Sequence, residues 1–362
     1  MRRLGAAVAL LALAVALLPS TVTPARAAGG PPFPVLAYYY IWYSPTSWSR
    51  AKVDYPLLGN YSSDERTVMR QHVTWAKEAG IDGFIVSWKS TPQLNARLAR
   101  LIQIADQQHF KLAVIYQGLD FERKPLPITK VRADLEYFAD TFAPDPAFQI
   151  FRKPLLIWSG TWEYSPDQIR NTLEPVRRRL FVLASERDPA SYGRLSHLVD
   201  GNAYYWSSAS PYTYTGYQER LDAMGRAVHR TGGLWVAPAA PGFDARLVGG
   251  TSVVPRRGGE TLRRELAAAY ASSPDALGLI SWNEFSENSH VEPSRCFGRE
   301  ALATLADVLH GKVPNVGGLD SNDSSSTVTG VPYGIPLLLG IVAVAFGGIF
   351  AIAWRRSNQQ LS

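Results

Sequence analysis

The stretch "ALGLISWNEFSENSHVEPS", Ala276 to Ser294, opens like a buried strand and then sets out three glutamates, Glu284, Glu287 and Glu292. A carboxylate at the mouth of a core is costly unless it is paired, hydrogen-bonded or employed. The stretch therefore reads as the place where a core strand surfaces at a working face. Which core the strand belongs to decides which face that is.

Seven more runs of the same character precede it: "VLAYYYIWY" (35–43), "DGFIVSWK" (82–89), "KLAVIYQG" (111–118), "PLLIWSG" (154–160), "LFVLASE" (180–186), "LVDGNAYYW" (198–206) and "GLWVAPA" (233–239). The intervening segments carry helical spacing. In 64–79, Val68, His72, Trp75 and Ala79 recur on one face, with Ser63 as a cap and Gly80 as terminator. In 92–108, Thr91–Pro92 opens a helix whose apolar face is Leu94, Leu98, Leu101, Ile102 and Ala105. In 260–272, Leu262, Leu266, Ala269 and Tyr270 repeat the pattern before Pro274. Continuously apolar strands alternating with helices make a parallel sheet covered by helices. Eight such units predict an α/β fold, a (β/α)8 TIM barrel, over residues 28–312. A doubly wound open sheet is the alternative, though it ordinarily has fewer strands. No GxGxxG or GxxxxGK[ST] follows any strand, which argues against a nucleotide cradle.

Both ends of the chain read differently. "MRRLGAAVALLALAVALLPS" followed by "ARA" at Ala25–Ala27 has the charge, apolar run and small-residue site of a signal peptide, residues 1–27. "IPLLLGIVAVAFGGIFAIAW", residues 335–354, is free of charge and long enough to span a bilayer; Arg355 and Arg356 open a tail, 355–362, expected to be cytoplasmic. A Gly/Ser/Asp-rich linker, 313–334, joins it to the barrel. The expectation is a single-pass protein of the cell membrane with its folded domain outside. The formal charge of +6 shrinks to about +1 once the five arginines of the two terminal segments are set aside, so no nucleic-acid footprint is expected. The single Cys296 excludes an internal disulfide and reads as a buried structural thiol. Asn60 and Asn322 stand in N-x-S triplets.

In a (β/α)8 barrel the active site lies at the C-terminal ends of the strands. Trp282, Asn283, Glu284 and Glu287 would emerge there, joined by Tyr40, Trp42, Trp88, Lys89, Tyr116, Gln117, Trp162, Glu163, Glu186 and Tyr204 to Trp206. An aromatic cup with a few carboxylates suits a glycan, because flat rings stack on sugar C–H faces; a large aromatic core is the alternative for 10 Trp and 17 Tyr. Glycosidic cleavage needs one carboxyl as acid and another as base or nucleophile, and neighbouring carboxyls drive their pKa values apart. Glu284 and Glu287 can serve if the chain turns after Phe285. No GxSxG elbow and no HExxH is present. His290 lacks partners at metal spacing, so it reads as a substrate or supporting contact, and neither metal nor cofactor is expected. Asp82, at the start of a strand, reads as structural. Asp244 in "APGFD" either contacts a sugar or turns a loop.

"YYYIWYSP", "HVTWAKEAGIDGFIVSW", "APGFD" and "ISWNEFSENSHVEP" resemble the glycoside hydrolase family 99 endo-α-mannosidase group and its related barrels, over about Val35 to His310. The resemblance implies that Glu284 deprotonates the sugar 2-hydroxyl, which attacks C1 to give an epoxide-like intermediate with overall retention. It implies that Glu287 is the general acid and then base. Tyr40, Trp42 and Trp88 would wall the sugar subsites, with Tyr116, Tyr204, Asn283, His290 and Glu292 as further substrate contacts. Arg257 matches a family arginine loosely. The family's "HEGTQ" is "SENSH" here, with Ser286 in place of a His and Asn288 in place of a Gly. The expected substrate is an α-linked polysaccharide or oligosaccharide, mannan-like or related, with no protein partner. A non-catalytic polysaccharide-binding barrel, or a protein accompanying polysaccharide synthesis, is the alternative.

Overall fold

A computed structural model describes residues 31–310. Eight parallel strands close into a barrel: β1 (Val35–Tyr40), β2 (Gly83–Trp88), β3 (Lys111–Gln117), β4 (Leu155–Ser159), β5 (Phe181–Ala184), β6 (Gly201–Ala203), β7 (Leu234–Ala239) and β10 (Ala276–Leu279), with β10 hydrogen-bonded to β1. A two-stranded hairpin, β8 (Phe243–Asp244) and β9 (Val253–Val254), lies between β7 and β10. Helices α1 (Arg66–Glu78), α2 (Pro92–Gln107), α3 (Ile128–Thr141), α4 (Pro166–Leu173), α5 (Pro189–Gly193), α6 (Tyr217–His229), α7 (Glu260–Ala271) and α8 (Glu300–His310) follow the barrel strands in turn.

Each expected strand is present, but β6 is far shorter than 198–206, and the last strand, expected over 277–285, ends at Leu279. The expected cap of α1 is also displaced. Ser63 is buried and its Oγ accepts the Tyr43 N–H at 3.0 Å, while Glu65 holds the cap position. Thr91 caps α2 as expected, accepting the Leu94 N–H.

Successive residues of a strand point to opposite faces, so the barrel has two cores. Leu36, Tyr38, Ile85, Ala113, Ile115, Ile157, Leu183, Ala203 and Val236 fill its interior. Ala37, Tyr39, Phe84, Val86, Trp88, Tyr116, Trp158, Tyr204 and Trp235 face the helices. Gly278 makes room for the Tyr38 ring, which a Cβ there would approach to 3.1 Å. Three aspartates at the N-terminal ends of strands close the bottom: Asp82 Oδ2 accepts the Val35 N–H at 2.7 Å, Asp200 Oδ2 that of Val182 at 2.8 Å, and Asp275 Oδ2 that of Trp235 at 2.8 Å. Asp82 is thus structural, as its position implied.

Cys296 is exposed, not buried, because it sits in the turn that follows the glutamate segment. Asn60 is exposed too. The signal peptide (1–27), the linker (313–334), the membrane span (335–354), the tail (355–362) and Asn322 lie outside the described residues. Among the described residues no helix is long and apolar enough to cross a membrane.

Candidate active site

Beyond β10 the backbone stays bonded to its neighbours, Ile280 N–H to Ala239 O at 2.8 Å and Trp282 N–H to Tyr38 O at 2.7 Å. It then folds back on itself: Ser281 N–H reaches Ser289 O at 2.7 Å and Val291 N–H reaches Ser281 O at 2.8 Å. The resulting loop carries both Glu284 and Glu287 at the C-terminal end of the barrel, and each side chain is 4% exposed.

The two carboxyls have different surroundings. Burial raises Glu284 above its usual 4.5, against the Ser286 N–H, which donates to Oε1 at 2.9 Å, and the Lys52 ammonium. Burial and then the charge of Glu284 raise Glu287 well above 4.5, and Arg123 offsets only part of this. Each carboxyl has a cation nearby, but Glu284 alone also has a backbone donor and Glu287 alone is raised by its neighbour's charge. Unequal surroundings of this kind drive the pKa values of two neighbouring carboxyls apart.

Two tyrosines, from the end of β1 and from just beyond β6, meet within reach of the charges of both glutamates. Tyr40 Oη and Tyr205 Oη are 2.7 Å apart. Burial comes first in raising both phenols, and Glu284 and Glu287 each add to the rise. Trp42 stacks on Tyr40 with centroids 4.3 Å apart and remains half-buried. Lys89 reaches over the rim, its Nζ donating to Leu119 O at 2.6 Å and lying 4.5 Å above the Phe121 ring; burial brings it down to about 8.

Residues 49–302 match the profile of Glycosyl hydrolase family 99. The chain belongs to glycosyl hydrolase family 99. A human Glycoprotein endo-alpha-1,2-mannosidase-like protein is 22% identical over 271 residues, covering 66% of this chain and 56% of its own length. The rat Glycoprotein endo-alpha-1,2-mannosidase is 21% identical over 266 residues, with the same shares of 66% and 56%. The chain thus spans just over half the length of these curated relatives. A solved structure of the family 99 endo-alpha-mannosidase from Bacteroides thetaiotaomicron superposes with a TM-score of 0.67 at 18% identity, covering 75% of this chain and 95% of that one. At that identity the likeness speaks for the fold.

Several side chains expected to line the cup of this family 99 barrel lie elsewhere. Trp88, Tyr116 and Tyr204 sit on the helix-facing side of their strands. Trp88 is fully buried, and its indole N–H donates to Asn95 Oδ1 at 2.8 Å. Tyr116 Oη donates to Asp134 at 2.8 Å, and Tyr204 stacks with Trp206 behind the wall. Asn283 is fully buried and spends its amide on the backbone of Tyr40. Glu292 accepts from Tyr61 Oη at 2.8 Å and lies 3.0 Å from His72 Nε2, whose Nδ1 meets Tyr39 Oη. His290 is fully buried against Phe285 and Asp54. None of these six faces the cup.

Three more acidic residues are also accounted for. Glu186 is buried and accepts from Thr161 Oγ1 at 2.7 Å, whereas Glu163 is exposed. Asp244 pairs with Arg246, and its N–H donates to Glu287 O at 2.7 Å, so it turns the hairpin loop.

Tyr205 was expected only as part of the run Tyr204 to Trp206, of which it is the member packed on the barrel-interior cluster with Ala203. Lys52, Arg123, Asp54 and Arg256 were not in the expected set. Arg256, not the exposed Arg257 that stacks on Tyr212, reaches the glutamate loop. For Asp54 no local pattern marks a residue that acts 236 positions away.

Proposed function

We propose that this chain is a retaining glycoside hydrolase of α-linked glycans, with α-mannosides as the first substrates to test, and with Glu284 and Glu287 as its catalytic pair. The observation that carries this reading is the asymmetry of two buried glutamates on one loop at the mouth of the barrel. Glu284, favoured as the carboxylate by the Ser286 N–H and Lys52, takes the proton of the sugar 2-hydroxyl. The freed 2-oxygen forms its bond to C1 as the C1–O bond to the leaving group breaks. Glu287, held protonated by burial and by Glu284, gives its proton to the departing oxygen. In the second half Glu287 takes a proton from water, which attacks C1 and opens the three-membered ring; the 2-oxygen recovers its proton from Glu284. Two inversions leave the anomeric configuration retained.

Trp42 forms the open aromatic wall of this cup, and Tyr40 with Tyr205 its floor. The segments 1–27 and 335–354 support export and anchorage in the cell membrane, single-pass, with the barrel outside. The names of the relatives support α-mannose as the sugar.

The test is hydrolysis of α-mannans and other α-linked oligosaccharides by the purified protein beside Glu284→Gln and Glu287→Gln. Both variants should lose about 100- to 10,000-fold in rate, and NMR of the first-formed anomer should show retention. Glycan binding without turnover, unaffected by either substitution, would instead make the barrel a tethered polysaccharide binder.

A further inference from the structure

Four consecutive carbonyls of the glutamate loop each accept a hydrogen bond, two of them from the same guanidinium nitrogen. Glu287 O accepts the Asp244 N–H at 2.7 Å, Asn288 O accepts from Arg256 Nη2 at 3.1 Å, Ser289 O accepts the Ser281 N–H at 2.7 Å, and His290 O accepts from Arg256 Nη2 at 2.7 Å.

Arg256 is an expensive way to do this. It is 5% exposed, and among the described residues it forms no ion pair; burial brings its guanidinium down to about 10. The charges of Glu300 and Asp54 offset only part of that burial, and a buried cation without a direct carboxylate contact costs free energy. Its guanidinium lies 4.2 Å over the Phe297 ring. Gly242 clears its path, because a Cβ there would stand 2.8 Å from Arg256 Cγ. The charge is thus committed to the carbonyls of Asn288 and His290.

A second grip comes from the loop after β1. Asp54 Oδ1 accepts the N–H groups of Tyr55 at 2.7 Å and Cys296 at 2.9 Å, and Oδ2 lies 3.3 Å from His290 Nε2. The His290 ring stacks on Phe285, centroids 4.1 Å apart at 21°. Phe285 adjoins Glu284, so the imidazole is clamped between the residue beside one glutamate and a carboxylate from the opposite side of the barrel seam.

We propose that Asp54, His290 and Arg256 form a strut of positioning residues that fixes the separation and orientation of Glu284 and Glu287. The proposal rests on the assignment of those two glutamates as the catalytic pair. Neither Asp54 nor His290 nor Arg256 touches substrate; each acts through the backbone or ring beside a glutamate.

The test uses the full chain with His290→Leu, His290→Gln, Arg256→Met and Arg256→Lys. Hydrogen exchange of the peptide 281–294 is followed by mass spectrometry, which needs no substrate. Exchange there should accelerate by about tenfold or more in His290→Leu and Arg256→Met, with peptides from β2 to β5 unchanged. On the substrate found for the wild type, kcat should fall about 10- to 100-fold with KM within about twofold. His290→Gln, which keeps a donor toward Asp54, and Arg256→Lys, which keeps the charge, should recover part of both losses. Unchanged protection of 281–294 overturns the strut, as does a uniform loss across the barrel in the conservative variants. So does lost protection with kcat intact. A wild type that hydrolyses nothing defeats the catalytic reading, while the exchange arm still decides whether the strut exists.

Discussion

Asn283 grips the main chain of Tyr40 in both directions: the Tyr40 N–H donates to Oδ1 at 2.8 Å, and Nδ2 donates to Tyr40 O at 3.0 Å. This exchange prolongs the seam between β1 and the last strand past the point where regular pairing stops. It also fixes the residue before the first glutamate relative to the Tyr40 backbone. Asn283→Ala would leave a buried N–H and a buried C=O unpaired, each costing about 1–3 kcal/mol. The expected outcome is a fall in Tm on the order of 10 °C, with KM of any remaining activity unchanged because the amide does not face substrate. A large rise in KM with Tm intact would return Asn283 to the substrate.

The strands were legible and their faces were not. Each run from "VLAYYY" to "ALGL" was found by its apolar content, and that same content hides its orientation. Tyr38, Tyr39 and Tyr40 are all buried, Tyr38 and Tyr40 toward the barrel axis and Tyr39 toward α1. A strand buried on both sides has no polar face to reveal its phase, so Trp88, Tyr116 and Tyr204 were placed one residue out of step. Glu284 and Glu287 stood out in the sequence because charge after an apolar run is conspicuous. Glu292 and His290 carried the same signal for another reason, since both serve buried networks behind the loop.

That difference of phase has a kinetic consequence. Trp42→Ala should raise KM about three- to tenfold through a lost ring–sugar contact comparable to aromatic stacking, with Tm nearly unchanged. Trp88→Ala should remove about 3–5 kcal/mol of stability and leave KM alone. Substrate titrations beside thermal melts separate the two, and the reverse pattern would place Trp88 in the cup.

Lys52 supplies the positive charge on the Glu284 side of the pair. Its Nζ donates to Ser47 O at 3.2 Å, which keeps the half-buried ammonium directed inward from the loop after β1. Burial raises Glu284, and Lys52 is among the groups that lower it. Lys52→Met should therefore raise Glu284 further. If Glu284 acts as a base it must be ionised, so the acid limb of the kcat/KM profile should move to higher pH. Lys52→Arg should leave the limb near its wild-type position. A limb that stays in place in Lys52→Met would show that the ammonium does not govern the base.

Glu287 should make the protein less stable as pH rises. Its carboxyl is raised well above 4.5, first by burial and then by Glu284. Between the unfolded value near 4.5 and the raised native value, the native state keeps a proton that the unfolded chain has released. Stability falls wherever the native state binds more protons, so the loss accumulates from about pH 5 upward. Glu287→Gln carries a permanently neutral group of the same shape and escapes it. Its Tm should match the wild type near pH 4 and exceed it at pH 8, while hydrolysis is lost at both. Melts of the two proteins across that range measure the divergence. Parallel curves would mean that Glu287 is ionised in the native state through neutral pH, and a glutamate already ionised has no proton to give a leaving group.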